Sequence, residues 1–251
     1  MTIKILHLYK HLMNLYGEYT NVAVLKAHLV DQGATVELNS FKSIKEVADL
    51  SIYDLIYIGA GNERSQKVAL DDLLTKKEEF IQAVNSGTTL LFTGNALELL
   101  GQTITDFEGN VYNALGIEDF TTVEQNQKRI QGDCYCNCEF IDVPVVGYIN
   151  KSSSINGITK PMFEMVLGHG NNEDTMQEGY YKDNIYATYL TGPILVKNPK
   201  FMDYFVNLLC TKKDSSFTLK DEVYPYEVEA YRTTEEKLLN RIAGKDSENE
   251  E

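Results

Sequence analysis

The side chains most able to do covalent or metal chemistry here are four cysteines and four histidines. Three of the cysteines alternate in CYCNC, as Cys134, Cys136 and Cys138. A period of two puts all three on one face of a strand. A tetrahedral metal site needs convergent ligands and usually draws them from turn-borne Cys-x-x-Cys pairs, so three strand neighbours would be cramped. They read instead as small hydrophobes on a buried strand face. Cys210, in an apolar helical stretch, reads as core. His7 falls in a strand pattern, and His11 and His28 in or beside helical ones. His169 lies in the polar, glycine-rich turn GHGNNED, the most open setting of the four, although a lone loop histidine is usually only solvated.

The segment from Thr88 to Gly101 is more informative. The apolar run TTLLF leads into Thr93-Gly94-Asn95 and then into the helix-like ALELLG. A tight turn of small residues between a buried strand and a helix start is the shape of a nucleophile elbow. It exposes one side chain at the sheet edge and leaves backbone N–H groups to hold an oxyanion. Gly59-Ala60-Gly61, directly after the run DLIYI, is placed to supply a second set of donors. The apex carries no cysteine or serine. Thr93 would need a base within reach, and no histidine is evident nearby.

The elements that must position these loops are alternating strands and helices. Ile3 to Leu8, Thr35 to Leu38, Asp54 to Ile58 and Thr88 to Phe92 are strand-like, with helical patterns over Asn21 to Gln32 and Asp71 to Asn85. Short connections between them imply a parallel sheet covered on both faces, with ligands at the carboxyl ends of the strands. The second half is richer in strands, at Cys134 to Ile141, Val145 to Ile149, Phe163 to Leu167 and Asn184 to Leu190. Pro144 interrupts the first two of these. A helix over Lys200 to Cys210 closes the fold. Residues 1–215 are expected to form one domain and 216–251 an extension, with a polar helix at Glu227 to Ile242 and a frayed acidic tail from Lys245.

Composition narrows the function. Lys and Arg number 23 against 37 Asp and Glu, a formal charge of −14. Nucleic-acid binding and attachment to an anionic membrane both need clustered cations, so neither is expected. No stretch approaches the roughly 18 apolar residues of a membrane span. The N-terminus lacks a secretory pattern, so the expected compartment is the cytoplasm. Four cysteines in 251 residues do not make a disulfide scaffold. No cofactor or metal is called for.

Six segments, in order, carry a family likeness: MNLYGEYTNVAVL at Met13 to Leu25, IGAGNERSQ at Ile58 to Gln66 and LGIEDF at Leu115 to Phe120, then KRIQGD at Lys128 to Asp133, GHGNNED at Gly168 to Asp174 and ATYLTGPILVKNP at Ala187 to Pro199. From about Leu6 to about Asn198 the chain resembles the CobB/CobQ-type class I glutamine amidotransferases, and among them the glutaminase subunit of lipid II isoglutaminyl synthase. The likeness implies a flavodoxin-like α/β fold with a mostly parallel central sheet. It implies glutamine as ligand and, as partner, a Mur-ligase-like ATP-dependent subunit that amidates the D-glutamate of the lipid II stem peptide.

Departures fall where that family does its chemistry. Gly94, followed by Asn95 and Ala96, stands where the family has a cysteine and two glycines. Thr191 stands where a TYLHGP pattern has its histidine. Lys151-Ser152 replaces a histidine–glycine pair, and Ala60 interrupts a three-glycine run. Thiolate and imidazole act as a unit, so losing both should remove covalent glutamine hydrolysis. Arg129, in the segment beside the family's glutamine pocket, is retained and suits a carboxylate. The expected ligand-binding residues are Gly59, Ala60, Gly61, Asn95 and Arg129, on a glutaminase fold that binds or regulates. An active subunit supplying ammonia to lipid II or a cobyric-acid-like substrate is the alternative.

Overall fold

A computed structural model describes residues 1–126, 129–221 and 224–245 of the chain. Lys128 of the KRIQGD segment and the tail beyond residue 245 lie outside the described residues. The strands of the first half are β1 (Thr2–Leu8), β2 (Thr35–Phe41), β3 (Leu55–Ile58) and β4 (Thr89–Thr93). They alternate with helices α1 (Tyr19–Asp31), α2 (Glu63–Leu74) and α3 (Lys77–Asn85). Every residue of β3 and β4 is buried, which demands cover on both sheet faces.

One expected helix is two. The pattern over Asp71 to Asn85 is divided at Thr75 and Lys76, and the first piece starts much earlier, at Glu63. Asn62 is the reason, because its side chain accepts the Ser65 N–H at 2.8 Å as an N-cap. Much of the loop after β3 is therefore helix. The stretch after β4 is a 3-10 helix over Gly94–Leu100, beginning two residues before the expected start.

The remaining strands are β5 (Thr103–Thr105), β6 (Val111–Asn113), β7 (Thr121–Glu124), β8 (Ile130–Asn137), β9 (Val145–Lys151), β10 (Ser153–Asn156), β11 (Phe163–Leu167), β12 (Gln177–Glu178), β13 (Tyr180–Lys182) and β14 (Ile185–Thr188). The strand expected over Cys134 to Ile141 thus starts at Ile130 and stops at Asn137, and Pro144 lies outside the ladder. Three helices follow, α4 (Ile194–Lys197), α5 (Pro199–Lys213) and α6 (Pro225–Ile242).

The large sheet has the order β13-β14-β4-β3-β1-β2, parallel except for the edge pair β13 and β14. Reading from β2, the parallel part is the 2-1-3-4-5 order of a flavodoxin-like doubly wound sheet. Two four-stranded sheets, β10-β7-β5-β6 and β12-β11-β8-β9, are inserted between β4 and β14. The second reaches back to the large sheet through Tyr148 of β9, whose carbonyl accepts the Thr191 N–H at 2.9 Å. Aromatic rings cluster beside α5, where Phe140, Phe201, Phe205, Tyr186 and Tyr204 meet at centroid distances of 4.5–5.9 Å. Helix α6 covers Tyr135 and Val146 with Leu238, and Glu227 holds His28 of α1 at 3.1 Å.

Candidate functional site

A shallow cleft opens at the carboxyl ends of β3, β4 and β14, where a sheet of this order places its ligands. Ala60 and Gly61 come from the loop after β3, Gly94 and Asn95 from the turn after β4, and Thr191 from the loop after β14. Arg129 lies at the rim. Gly59 stands behind the wall; a Cβ on it would come within 2.9 Å of Glu18 Cβ and of the Met13 carbonyl oxygen.

The turn at Gly94 keeps the backbone of an elbow, with φ at +61°. A side chain there would have no room. A Cβ built on Gly94 overlaps the Cβ of Ala60, and it lies 3.1 Å from Ala60 Cα and 3.3 Å from Thr191 Cγ2.

One donor expected of the first loop, the Gly61 N–H, is committed elsewhere. Gly61 gives its N–H to Asn95 Oδ1 at 2.9 Å, and Gln66 Nε2 donates to the Asn95 carbonyl at 2.6 Å. Thr93 does not face the cleft. Its buried hydroxyl donates to Glu18 and lies 2.8 Å from the Tyr57 hydroxyl. Thr191 is likewise engaged, donating from Oγ1 to the Tyr148 carbonyl at 3.0 Å.

Glu18, which lies in the MNLYGEYTNVAVL segment but is not among the expected site residues, ties the site together from below. Its carboxylate accepts from Thr93, from Tyr57 at 2.8 Å, from Asn21 at 3.2 Å and from the Gly192 N–H at 3.2 Å. Burial pushes its pKa up, against the pull of the Thr93, Tyr57 and Gly192 bonds. Glu98, in the 3-10 helix, is a second buried carboxylate whose pKa burial raises; it accepts from Gln66 at 2.7 Å and Tyr189 at 2.9 Å.

Lys151 closes the floor of the cleft. Its buried ammonium donates to the carbonyls of Gly170 and Asn171 at 2.6 and 3.0 Å and sits 4.5 Å from the centre of the Tyr189 ring. Desolvation pulls its pKa down, while Glu178 and Glu98 push it back up. At the rim Arg129 is half exposed, giving one N–H to Glu63 at 2.8 Å and another to Asn150 at 2.6 Å. Glu63 also accepts from Ser152 at 2.8 Å. Burial raises the Glu63 pKa, but its own N–H, Ser152, Arg129 and Lys67 together hold it below the usual range. Asn150 completes the rim by donating to Tyr16, whose φ of +60° is uncommon for a bulky residue.

The sequence therefore names much of the cleft; Tyr16 and Glu63 lie in its family-like segments without being singled out, and Glu98, Asn150 and Ser153 are missed. Asn62, as a cap before Glu63, was the local signal for one of them. The strand cysteines stay outside. All are free thiols; burial pushes Cys134 and Cys138 up to about 12 and raises Cys136 well above the ordinary thiol value. Among the described residues no three His, Cys, Asp or Glu converge to hold a metal ion, and no helix is long and apolar enough to cross a membrane.

Comparison with known proteins agrees with this geometry. The chain is 30% identical over 213 residues to the glutamine-hydrolysing lipid II isoglutaminyl synthase subunit GatD of Streptococcus pneumoniae, covering 84% of this chain and 82% of that protein. It is 26% identical over 228 residues to the corresponding subunit of Staphylococcus aureus, covering 91% and 93%. A crystal structure of a glutamine amidotransferase superposes with a TM-score of 0.52 at 13% identity, covering 82% of this chain and 98% of that one, which shows the shared fold. Residues 4–199 match the CobB/CobQ-like glutamine amidotransferase domain model, and to that family the chain belongs.

Proposed function

We propose that this protein is a non-hydrolysing member of its family, a binding or regulatory subunit for a Mur-ligase-like enzyme that amidates a peptidoglycan precursor. One observation carries the reading: neither a cysteine nor a histidine is among the described residues lining the cleft. The hydroxyls present do not replace them. Thr191 is bonded to backbone, and Ser152 is bonded to a carboxylate whose lowered pKa makes it a weak base. Glutamine hydrolysis by a thioester route needs both a nucleophile and a proton shuttle. The partner is inferred from the two relatives, whose names place them in lipid II isoglutaminyl synthase. Glutamine or a related amino acid remains the ligand class for the rim, through Arg129.

The test is glutamate release from glutamine by the purified protein, alone and with a Mur-ligase-like partner. No release above the uncatalysed rate in either setting is expected. Release that survives rigorous purification would overturn the reading.

A further inference from the structure

Gly94 is more than a missing side chain, because the space its Cβ would need is already filled. The filler is Ala60, a residue 3% exposed whose Cβ overlaps that position. Ala60 also cannot retreat cheaply, since its loop is held on both sides. The Leu15 N–H bonds the Ala60 carbonyl at 2.9 Å, and the Gly61 N–H bonds Asn95 at 2.9 Å. A Cβ on Gly59 would come within 2.9 Å of Glu18 and Met13, and one on Gly61 would overlap the Met13 sulfur. The loop is thus wedged against Met13 and Glu18 with no slack. Thr191 Cγ2, by contrast, would be 3.3 Å away and would need to give by only a few tenths of an ångström.

We infer that Ala60 is the residue that seals this cleft: it excludes every side chain at position 94 and so fixes the site in a form that cannot carry a nucleophile. The pair Ala60–Gly94 is a coupled lock, in which restoring a cysteine alone cannot restore a usable thiol. Opening the cleft requires glycine at position 60 first. This deepens the non-hydrolysing reading and rests on it for its functional meaning, while the packing claim stands on geometry alone.

A double-mutant cycle of Ala60→Gly and Gly94→Ala tests the lock. The positive φ at position 94 penalises alanine equally with either residue at 60, so it cancels in the coupling and leaves the Cβ–Cβ contact. Gly94→Ala alone should lower Tm by several degrees, as overpacked cores do, and Ala60→Gly should recover about half or more of that loss. A second arm uses Gly94→Cys and follows alkylation of the introduced thiol by iodoacetamide, located by peptide mass spectrometry. That thiol should react at least about tenfold faster when residue 60 is glycine than when it is alanine. Additive Tm changes, or a double variant that folds no better than Gly94→Ala, would overturn the inference. So would equal alkylation in the two backgrounds. Glutamate release by the unaltered protein would sink the functional reading and leave this stability result standing, which separates the two failures.

Discussion

The backbone N–H of Gly61 meets Asn95 Oδ1 at 2.9 Å, so two loops suited to holding an oxyanion hold one another. The bond accounts for the asparagine after Gly94. It satisfies a buried backbone amide, and it joins the end of β3 to the end of β4.

Asn95→Ala leaves that amide buried without a partner. The expected cost is about 1–3 kcal/mol, the usual penalty for an unmet buried donor. Urea denaturation read by tyrosine fluorescence measures it. A change within about 0.3 kcal/mol of zero would mean that water replaces the side chain and that the two loops are not tied through it.

Glu18 should matter more. Its carboxylate is the shared acceptor of Thr93, Tyr57, Asn21 and the Gly192 amide. Glu18→Ala strips partners from several buried donors at once, and a loss of at least about 3 kcal/mol is expected. Thr93→Val removes one donor from that set and keeps the shape, so about 1–2 kcal/mol is expected there. The order of the two midpoints in urea is the check. A milder effect for Glu18→Ala would contradict its role as the common acceptor.

Glu98 gives a pH signature. Burial raises its folded pKa above the ordinary 4.5. The folded state then holds its proton more tightly than the unfolded state, so the carboxyl's contribution to stability is full below the ordinary value. It falls as pH climbs towards the raised one. His7 acts in the opposite direction, because burial lowers it to about 4 and stability from that group is lost on acidification below 6.5. Comparison with Glu98→Gln cancels the histidine. The stability of Glu98→Gln relative to the native protein should rise as pH climbs above the ordinary carboxyl value of 4.5. A flat difference would mean that Glu98 titrates normally in the fold.

The thiols of Cys134, Cys136 and, just past the end of β8, Cys138 should be inert. With Cys134 and Cys138 pushed up to about 12, the thiolate fraction at neutral pH is far below that of a free cysteine. Higher intrinsic nucleophilicity offsets part of this, leaving reaction with a disulfide reagent about 100-fold slower than in the urea-unfolded chain. Fast labelling of any one of them in the folded protein would reopen a cysteine-based chemistry.

The sequence by itself determined the β–α alternation, because hydrophobic runs and glycine stops are local signals that each element carries alone. The strands β1, β3 and β4 lie where the runs IKILHL, DLIYI and TTLLF place them, and Gly33 and Gly87 follow the helices they end. It also pointed to the loops after β3 and β4, since parallel strand order leaves their carboxyl ends together. Helix breaks were less legible, because the start of α2 depends on the Asn62 cap and not on periodicity. The tertiary structure decided the rest. Tyr16, Glu63, Arg129, Asn150 and Ser152 come from four separated segments, and only their packing makes one rim. Above all, the sequence presents Ala60 and Gly94 as two small residues in two loops. That one fills the space of the other's absent side chain depends on a distance across neighbouring strands, which no local pattern encodes.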